Sequence, residues 1–533
     1  MPARRPPADA GAAHQARLAA RGERKALGAY YTPPALVAGV VDLALGPVLD
    51  RAAREGPEAI LALRVVDPAC GDGRFLVEAG ERLLGALATL GLVGDEARRA
   101  VAGRCLHGVD VDPTAVRLAR RALRDLGGDA RGVARRVVEG DALHDAAGLQ
   151  PGTFDVVVGN PPFLSQLGAS TARTPERAAA LRTRFGAAVA TYTDPAAAFL
   201  LAGLELARPE GGTVALVEPI SVLTARDAGG VRGAAVEQAQ LRDLWVVGDG
   251  GFDAAVEVCV PVLVRPAATD ANRSTRLHRG AGRSAEGEAP HPSGAASWSA
   301  LLAGLAGTPR RRLRTAGVLG DVATATADFR DQYYGLAPHV VDREVADDAT
   351  HPPLVTVGLV DPARCWWGER STRFHKVRYD HPRVELAALP AALRTWSAAR
   401  LVPKVLLATQ TRVPEAVVDP AGHLLPSVPL ISVVPHDPDD LWRIAVVLTC
   451  PAVALAAVER HLGSGRNARA LRLRAAEVLE LPLPADRAAW DEAARRLRSG
   501  GALNEVGRAG DAAYGLVDDE EVLAWWVDRL PAR

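Results

Sequence analysis

The amino-acid sequence predicts an α/β protein whose core is a mostly parallel sheet with helices on both faces. Seven apolar runs recur between residues 61 and 264, and Ala/Leu/Arg-rich segments such as 75–90 and 113–127 lie between the early ones. Strands that alternate with helical segments are typical of βαβ units, in which the strands run parallel. The last two runs, 244–250 and 256–264, have no helix-length spacer between them, so we expect an antiparallel pair at the sheet edge.

The chain of 533 residues is too long for one ordinary domain, and its composition changes along its length. A Gly-, Ser- and charge-rich segment without periodicity follows the last apolar run and is typical of a linker. Short β-like runs follow it, so an α+β domain is expected there, and the final segment has a helical pattern. The expected divisions are a disordered tail at 1–25, a catalytic domain at 26–265, a linker at 266–310, a second domain at 311–485 and a helical segment at 486–533.

Charge and cysteine content narrow the class of protein. The 63 basic and 63 acidic residues cancel, which does not favour nucleic-acid binding but leaves room for a local basic surface. No apolar run reaches the ~20 residues that a membrane span needs, and residues 1–24 lack the apolar stretch of a signal peptide. The five cysteines have neither metal nor redox spacing. We therefore expect a cytoplasmic protein with reduced thiols, no bound metal and no membrane partner.

The segment VVDPACGDGRFL at 65–76 is a strong local signal for a ligand site. A buried strand ends at Asp67, and a glycine-bearing turn then leads into a helix. Gly71 and Gly73 remove Cβ atoms that would keep a ligand from the backbone, and the helix start offers free N–H groups. Asp67 can hold a cationic amine. The pattern differs from a pyrophosphate loop and suits a zwitterionic amino-acid tail; an ordinary strand-to-helix turn is the alternative.

Two further carboxylates follow predicted strands. Asp110, in GVDVD, can accept both ribose hydroxyls of a nucleoside, whereas Asp112 before Pro113 is explained as a helix cap. Asp141, in GDAL, can accept from an adenine amino group, although Asp at a strand end is common.

Upstream, Thr32 is predicted to cap a helix with Pro33 at its first position. That helix start could bind a carboxylate, but plain capping explains the segment equally well.

The decisive element is FDVVVGNPPF at 154–163, where a buried strand delivers Asn-Pro-Pro-aromatic at its tip. An amine on a purine is a poor nucleophile because its lone pair is delocalised into the ring. The Asn160 side-chain oxygen and the Pro161 carbonyl can accept both amine hydrogens and so localise that lone pair. Pro161 and Pro162 fix the backbone that aims these groups, and Phe163 offers a flat face for a base. The predicted catalysis is orientation and polarisation, without a covalent intermediate.

These motifs resemble the gamma-group N6-adenine DNA methyltransferases of restriction–modification systems. The family order of a methionine-tail helix, a cofactor loop, an acidic ribose ligand and N-P-P-aromatic occurs here as YYTP, DPACGDG, GVDVD and NPPF. The resemblance implies a class I methyltransferase fold with a seven-stranded, mostly parallel sheet and S-adenosylmethionine as cofactor. It implies cofactor contacts at Tyr31, Thr32, Pro33, Asp67, Ala69, Gly71, Gly73, Asp110 and Asp141, and a grip on the target base by Asn160, Pro161, Pro162 and Phe163. Asp72 replaces the usual Ser, which we interpret as a surface difference, and Phe163 replaces the commoner Tyr.

The resemblance extends less specifically to both sides of the linker. Phe252 matches the aromatic that stacks on a flipped base, with a core Phe as the alternative. Segments 401–435, 441–463 and 473–484 are similar to a target-recognition domain that binds double-stranded DNA. Basic clusters at 364–378 and 465–474 supply local positive charge, and the first interleaves three aromatics with five Lys/Arg against one Glu. Arg373 and Lys376 in it are predicted to contact phosphates; a partly buried Trp pair with solvated arginines is the alternative.

The sequence therefore predicts an enzyme that methylates the N6 amine of an adenine flipped out of double-stranded DNA. The same Asn-Pro-Pro-aromatic device serves cytosine N4, RNA guanine and protein glutamine methylation, and these substrates stay open. An inactive DNA-binding subunit of a defence system is a further alternative, and a restriction or defence subunit would be a separate chain.

Overall fold

The computed structural model describes residues 32–164, 173–248, 257–266, 274–328, 330–465 and 468–531. The chain divides into two compact units, Met1–Leu301 and Leu302–Arg533. Tyr31 and Phe252, two of the predicted site residues, lie outside the described residues.

Unit 1 is built on one large sheet, which confirms the predicted α/β class, but ten strands of the described residues belong to it and not the seven that the resemblance implies. Its spatial order is β10-β9-β7-β8-β5-β4-β1-β2-β3, with β6 paired to β8. Strands β3, β2, β1, β4 and β5 are parallel neighbours, and β8 runs antiparallel between β5 and β7. In chain order the strands are β1 (Val65–Asp67), β2 (Leu106–Asp110), β3 (Val137–Glu139), β4 (Val156–Gly159), β5 (Thr213–Leu216), β6 (Glu218–Pro219), β7 (Gln240–Val246), β8 (Val258–Val264), β9 (Ser274–Arg279) and β10 (Ser284–Pro290).

Helices cover both faces of this sheet. Successive strand residues point to opposite faces, so strands that are apolar throughout need a packing partner on each face. Val156 and Val158 belong to the core shared with the first long helix, whereas Val157 lies beside Gly203 of a helix on the other face. The helices are α1 (Pro34–Glu55), α2 (Pro57–Ala62), α3 (Arg74–Thr89), α4 (Asp95–Ala100), α5 (Pro113–Asp125), α6 (Ala130–Arg136), α7 (Pro175–Phe185), α8 (Pro195–Leu206), α9 (Gly229–Gln238) and α10 (Ser299–Leu305).

The predicted linker at 266–310 is wrong for its described centre, because β9 and β10 form a hairpin that extends the sheet. Strand β9 pairs with β7, so the antiparallel pair β7–β8 is confirmed but does not form the sheet edge. Asp243 of β7 is fully buried and binds Arg242, Arg276 and His278, and the last two lie on β9. A buried carboxylate needs such partners, and its neighbours come from the segment whose polar composition suggested a linker.

Unit 2 contains a four-stranded antiparallel sheet and several short strand pairs. Its strands are β11 (Thr315–Val318), β12 (Ala323–Ala327), β13 (Val340–Asp342), β14 (Leu354–Val355), β15 (Val360–Asp361), β16 (Arg364–Cys365), β17 (Thr372–Phe374), β18 (Val377–Tyr379), β19 (Pro382–Val384), β20 (Lys404–Ala408), β21 (Gln410–Thr411), β22 (Glu415–Asp419), β23 (Leu425–Pro426), β24 (Ile431–Pro435), β25 (Leu471–Arg472) and β26 (Pro482–Pro484). The four-stranded sheet has the order β12-β24-β20-β22.

The helices of unit 2 are α11 (Arg330–Leu336), α12 (Ala391–Arg400), α13 (Leu441–Val447), α14 (Pro451–His461), α15 (Ala475–Leu479), α16 (Arg487–Arg498), α17 (Leu503–Ala513) and α18 (Glu520–Val527). Within the described ranges no single helix combines the length and apolar character of a membrane span, and only the bent pair 438–447 and 451–461 passes when taken together.

Candidate functional site

The two loops on which the predicted chemistry depends meet at one edge of the unit 1 sheet. Strands β1 and β4 are parallel neighbours, so their carboxyl ends lie side by side. Gly159 at the end of β4 lies directly against Asp67 at the end of β1, because a Cβ atom on Gly159 would be 2.4 Å from Asp67 Oδ1. A side chain at position 159 would therefore push the Asn-Pro-Pro segment away from the 67–73 loop.

Asp67 is a buried carboxylate with one unused oxygen. Its side chain is 1 % exposed, and Oδ1 accepts from the Ala69 N–H over 3.0 Å. Oδ2 is buried and has no hydrogen-bond partner among the described residues. Burial, more than the nearby carboxylate of Asp110, holds the pKa of Asp67 well above its usual range. A cationic amine beside Oδ2 would stabilise the ionised form, which fits the predicted role as an amine ligand.

The two glycines of this loop have different physical roles. Gly71 has φ +54°, and a Cβ atom added to it would meet no atom within 4 Å, so its surroundings leave room for a ligand. Gly73 has φ +83° at the start of α3, and its Cβ would lie 3.0 Å from the Ala119 backbone. The prediction that Gly73 makes room for a ligand is therefore wrong. A glycine at position 73 allows the left-handed backbone conformation of the residue before α3 and the close packing of α3 on α5.

Asp110 and Asp141 occupy the tips of β2 and the segment after β3. Asp110 Oδ2 accepts from the Gly71 N–H over 2.8 Å, which ties the ribose candidate to the glycine loop. Its Oδ1 accepts from the Asp112 N–H, also over 2.8 Å. Asp110 thus lies at the tip of β2 directly beside the glycine loop, where the ribose ligand is expected.

Asp141 is largely engaged by its own turn. Oδ1 accepts from the N–H groups of Leu143 and His144, both over 3.1 Å, and Oδ2 lies 2.8 Å from His144 Nδ1. Burial alone would raise the pKa of Asp141, but the His144 contacts outweigh it and lower the value. Oδ2 also lies 4.0 Å from a guanidinium nitrogen of Arg177, so both oxygens of Asp141 have neighbours that would compete with an adenine amine.

Asn160 has a fixed amide with a free acceptor. Its Nδ2 donates to Thr32 Oγ1 over 2.9 Å, and its Oδ1 is buried with no hydrogen-bond partner among the described residues. Leaving a buried amide oxygen without a donor costs about 1–3 kcal/mol, which a ligand N–H would recover.

The Thr32 contact corrects the predicted helix cap. Pro33 is the cap residue, Pro34 is the first helical residue, and no side chain caps α1. Thr32 is 3 % exposed and uses its hydroxyl for Asn160 instead, because α1 packs beside the tip of β4.

The residues after Asn160 have contacts on both faces of the sheet. Pro161 is buried, Phe163 is half-buried, and the Phe163 ring packs against the main core of unit 1. Asp194 begins α8 and accepts from the Leu164 N–H over 3.3 Å. Burial raises the pKa of Asp194 to about 6, against the hydrogen bonds from Ala196 and Leu164. Asp194 therefore holds the backbone that follows the Asn-Pro-Pro-aromatic motif. No local sequence pattern indicates this contact.

Asp72 is more than a surface difference, which corrects that interpretation. It forms an ion pair with Arg74, with N–O distances of 2.9 and 2.5 Å, and the same guanidinium donates to the Thr32 carbonyl. The glycine loop, α3 and the start of α1 are therefore linked through one side chain. The sequence does not single out Arg74, because an arginine at the first helical position is common in helices.

The basic cluster at 364–378 of unit 2 uses its tryptophans structurally. Arg364 and Arg370 lie over the Trp366 ring at 3.5 and 4.7 Å, and Trp366 Nε1 donates to Asp361. Trp367 Nε1 donates to the Pro382 carbonyl. The ring of Trp367 likewise lies 4.5 Å from the guanidinium of Arg383, and both tryptophans are half-buried, which agrees with the alternative of a partly buried Trp pair.

The β17–β18 hairpin carries the remaining charge of the cluster. Arg373 and Arg378 are directly opposite each other across the two strands, and both are exposed, as is Lys376 at the turn. Like charges directly opposite are unfavourable, and no acidic side chain among the described residues pairs with them. Phe374 on the inner face is 1 % exposed and anchors the hairpin in a hydrophobic core.

No group of three or more His, Cys, Asp or Glu side chains in the described ranges is arranged to hold a metal ion.

Comparisons with known proteins give one family match and several similar structures. Residues 16–274 match the family described as N-6 DNA Methylase. The chain is similar to the Type IIL restriction-modification enzyme MmeI in complex with DNA, at 13% identity and a TM-score of 0.61, covering 95% of this chain and 79% of that one. That likeness shows a shared fold.

Two further structures are more distant. The Type I restriction enzyme EcoKI M protein has a TM-score of 0.35 at 20% identity, over 47% of this chain and 48% of its own. A modification subunit of a putative type I restriction enzyme from Vibrio vulnificus YJ016 has a TM-score of 0.35 at 20% identity, over 50% of each chain.

Proposed function

We propose that the protein, whose residues 16–274 match the family described as N-6 DNA Methylase, methylates the N6 amine of an adenine flipped out of double-stranded DNA, with S-adenosylmethionine as methyl donor. The family match supports an adenine-specific DNA methyltransferase. The proposal adds the cofactor, the flipped base and the residues that act on it.

One observation carries the proposal: the buried Oδ1 of Asn160 has no donor among the described residues, while its Nδ2 is held by Thr32. With Nδ2 donating to Thr32 Oγ1, Oδ1 is the amide atom that is left to accept. The site therefore presents a fixed acceptor, and an exocyclic amine is the complementary donor. The Pro161 carbonyl is the second acceptor in the proposal, held by the two prolines.

The residues of the 67–73 loop fit the proposed cofactor. Asp67 Oδ2 would hold the amino group, the surroundings of Gly71 leave room for the ligand, and Asp110 would take the ribose hydroxyls. When bound, S-adenosylmethionine supplies an electrophilic methyl group on a positively charged sulfur. Thr32 and Pro33 lie at the start of α1, beside Asn160, and belong to the same proposed site.

The protein's part in the chemistry is to position and polarise the amine. Asn160 and the Pro161 carbonyl accept its two hydrogens, which draws the lone pair out of the ring and toward the methyl donor. Flipping the base costs a few kcal/mol, and stacking on Phe163 returns about 1–3 kcal/mol. Phe252 is proposed as the second stacking residue, and the amine loses its proton to water after the transfer.

The proposed function is tested by identifying the methylated base. The protein is incubated with labelled S-adenosylmethionine and a mixed-sequence duplex, and the nucleosides are separated after digestion. We expect label in N6-methyladenine. Label in N4-methylcytosine, or transfer only to RNA or protein, would show that the substrate is wrong.

We propose that the β17–β18 hairpin contacts DNA phosphates. Its exposed guanidinium pair and Lys376 form a concentration of positive charge, and polyanion binding would relieve the repulsion between Arg373 and Arg378. Replacing Arg373 and Lys376 by Ala should weaken duplex binding about equally for all sequences and reduce the salt slope of the binding constant by about 2.

The salt dependence is measured by fluorescence anisotropy at several NaCl concentrations. Replacing Arg495 and Arg498 on α16 removes the same number of positive charges from another exposed surface of unit 2 and serves as the control. An unchanged slope in the hairpin variant, or an equal loss in the control, removes the hairpin from the DNA surface.

A further inference from the structure

Glu218 is a buried carboxyl group that the proposed mechanism does not use. Its side chain is 0 % exposed, and both of its carboxyl oxygens are buried without a hydrogen-bond partner among the described residues. Asp67 Oδ2 and Asn160 Oδ1 are in the same condition, and both of those atoms are proposed to bind a ligand. Because an unpartnered buried polar group costs free energy, Glu218 calls for an explanation of the same kind.

Glu218 lies at the same edge of the unit 1 sheet as Asn160. Strands β4 and β5 are parallel neighbours, with Gly159 opposite Leu216. The N–H of Val217 donates to the Gly159 carbonyl over 2.9 Å. Asn160 and Glu218 are the residues that directly follow this hydrogen-bonded pair, on chain segments that are adjacent in the sheet.

The Glu218 side chain lies on the face of the sheet that packs against α8. Val217 belongs to the core shared with α1, and successive strand residues point to opposite faces. The carboxylate of Asp194, at the start of α8, acts on Glu218. Asp194 also accepts from the Leu164 N–H, directly after the Asn-Pro-Pro-aromatic motif. Glu218 is therefore near both the beginning and the end of the segment proposed to hold the target base.

Glu218 is a neutral acid near neutral pH and can donate a hydrogen bond. Burial first, and then the carboxylate of Asp194, holds the pKa of Glu218 well above its usual range. On β8, Cys259 is opposite Glu218 and supplies no positive charge to oppose this. A neutral carboxyl group carries one O–H donor, whereas Asn160 Oδ1 and the Pro161 carbonyl can only accept.

The proposed site has acceptors for the amine of the target base, and the neighbouring ring nitrogen needs a donor. In the proposed function, on which this inference rests, Asn160 and the Pro161 carbonyl take both hydrogens of the N6 amine. Ring nitrogen N1 lies beside that amine on the Watson–Crick edge, where flipped bases are recognised, and its lone pair needs a donor when the base is buried. We propose that Glu218 binds the target base by donating its carboxyl O–H to adenine N1.

The test compares adenine with 1-deazaadenine, in which a C–H group replaces N1. The methylated sequence is first mapped with the full-length protein, and duplexes are then made with adenine, 1-deazaadenine or 7-deazaadenine at the target position. Single-turnover transfer is measured with labelled S-adenosylmethionine. We expect 1-deazaadenine to be methylated about 10–100-fold more slowly than adenine, because the buried donor is left unpaired. 7-Deazaadenine keeps N1 and should react at nearly the adenine rate.

Variants of Glu218 show whether its carboxyl group causes this discrimination. Glu218→Gln keeps an N–H donor and should keep the ratio of the adenine rate to the 1-deazaadenine rate. Glu218→Leu should slow transfer to adenine and remove most of the difference between the two bases. Glu237→Gln, at an exposed position on α9, should behave like the unmodified protein.

Thermal unfolding of Glu218→Leu separates a lost contact from a lost fold. A buried carboxyl group without a partner costs free energy, so this variant should unfold at the temperature of the unmodified protein or above it. The assignment of Glu218 is overturned if adenine and 1-deazaadenine react equally in the unmodified protein, or if Glu218→Leu discriminates between them as the unmodified protein does. A protein that leaves adenine in DNA unmethylated would instead overturn the proposed function, and this inference with it.

Discussion

Asn160→Ala should lose methyl transfer by about 10²–10³-fold, the effect of removing one preorganised polar contact from a reacting centre. The reason is geometric: Oδ1 is the acceptor that is held in place and left without a donor. The alanine variant loses this acceptor but keeps the prolines and the core. The rate is measured under single-turnover conditions with labelled S-adenosylmethionine, so that product release does not hide the chemical step.

Duplex affinity and cofactor affinity of the variant serve as controls, and both should stay close to those of the unmodified protein. Thr32 provides a matched pair. Thr32→Ser keeps the hydroxyl that accepts from Asn160 Nδ2 and should remain active, whereas Thr32→Val leaves the amide unanchored and should slow transfer. Methylation at the normal rate by Asn160→Ala would show that another group holds the amine.

Asp419→Ala should destabilise unit 2 by about 3–5 kcal/mol, the usual cost of leaving one partner of a buried ion pair alone. Lys404 of β20 and Asp419 of β22 both have fully buried side chains, with N–O 2.5 Å apart. Asp419 also accepts from the N–H groups of Gly422 and Leu424. The carboxylate thus satisfies both the lysine and the turn that follows β22.

This loss is measured by urea unfolding followed by tryptophan fluorescence, where the transition that belongs to unit 2 should move to lower urea. The double variant Lys404→Met/Asp419→Leu removes both charges and should recover part of the loss. Glu492→Ala removes an exposed ion pair on α16 and should change the transition little. An Asp419→Ala transition at the original urea concentration would mean that the buried pair contributes no net stability.

The parallel strands of unit 1 and the helices between them were predictable because local sequence patterns indicate them. Apolar runs at strand spacing and helix-like segments between them predict parallel strands, and carboxyl ends of parallel strands share one edge. The meeting of the Asn-Pro-Pro tip with the 67–73 loop follows from that topology and is what the structure has. Asp67, Gly71, Asp110 and Asn160 could be proposed as site residues for the same reason, since each directly follows or lies within a motif at a strand end.

What the sequence determined by itself is therefore the alternation of strands and helices in the parallel part of the sheet and the residue types at the strand tips. The tertiary structure decided which side-chain atoms remain available for a ligand. Thr32 binds the Asn160 amide across 128 residues, and arginines cover the Trp366 ring. It also placed β9 in the sheet, where Arg276 and His278 pair with the buried Asp243. The physical reason is that strand and helix periodicity depends on near neighbours in the chain. Hydrogen-bond partners and buried charges depend on packing between segments far apart in the sequence, and only the folded chain brings these together.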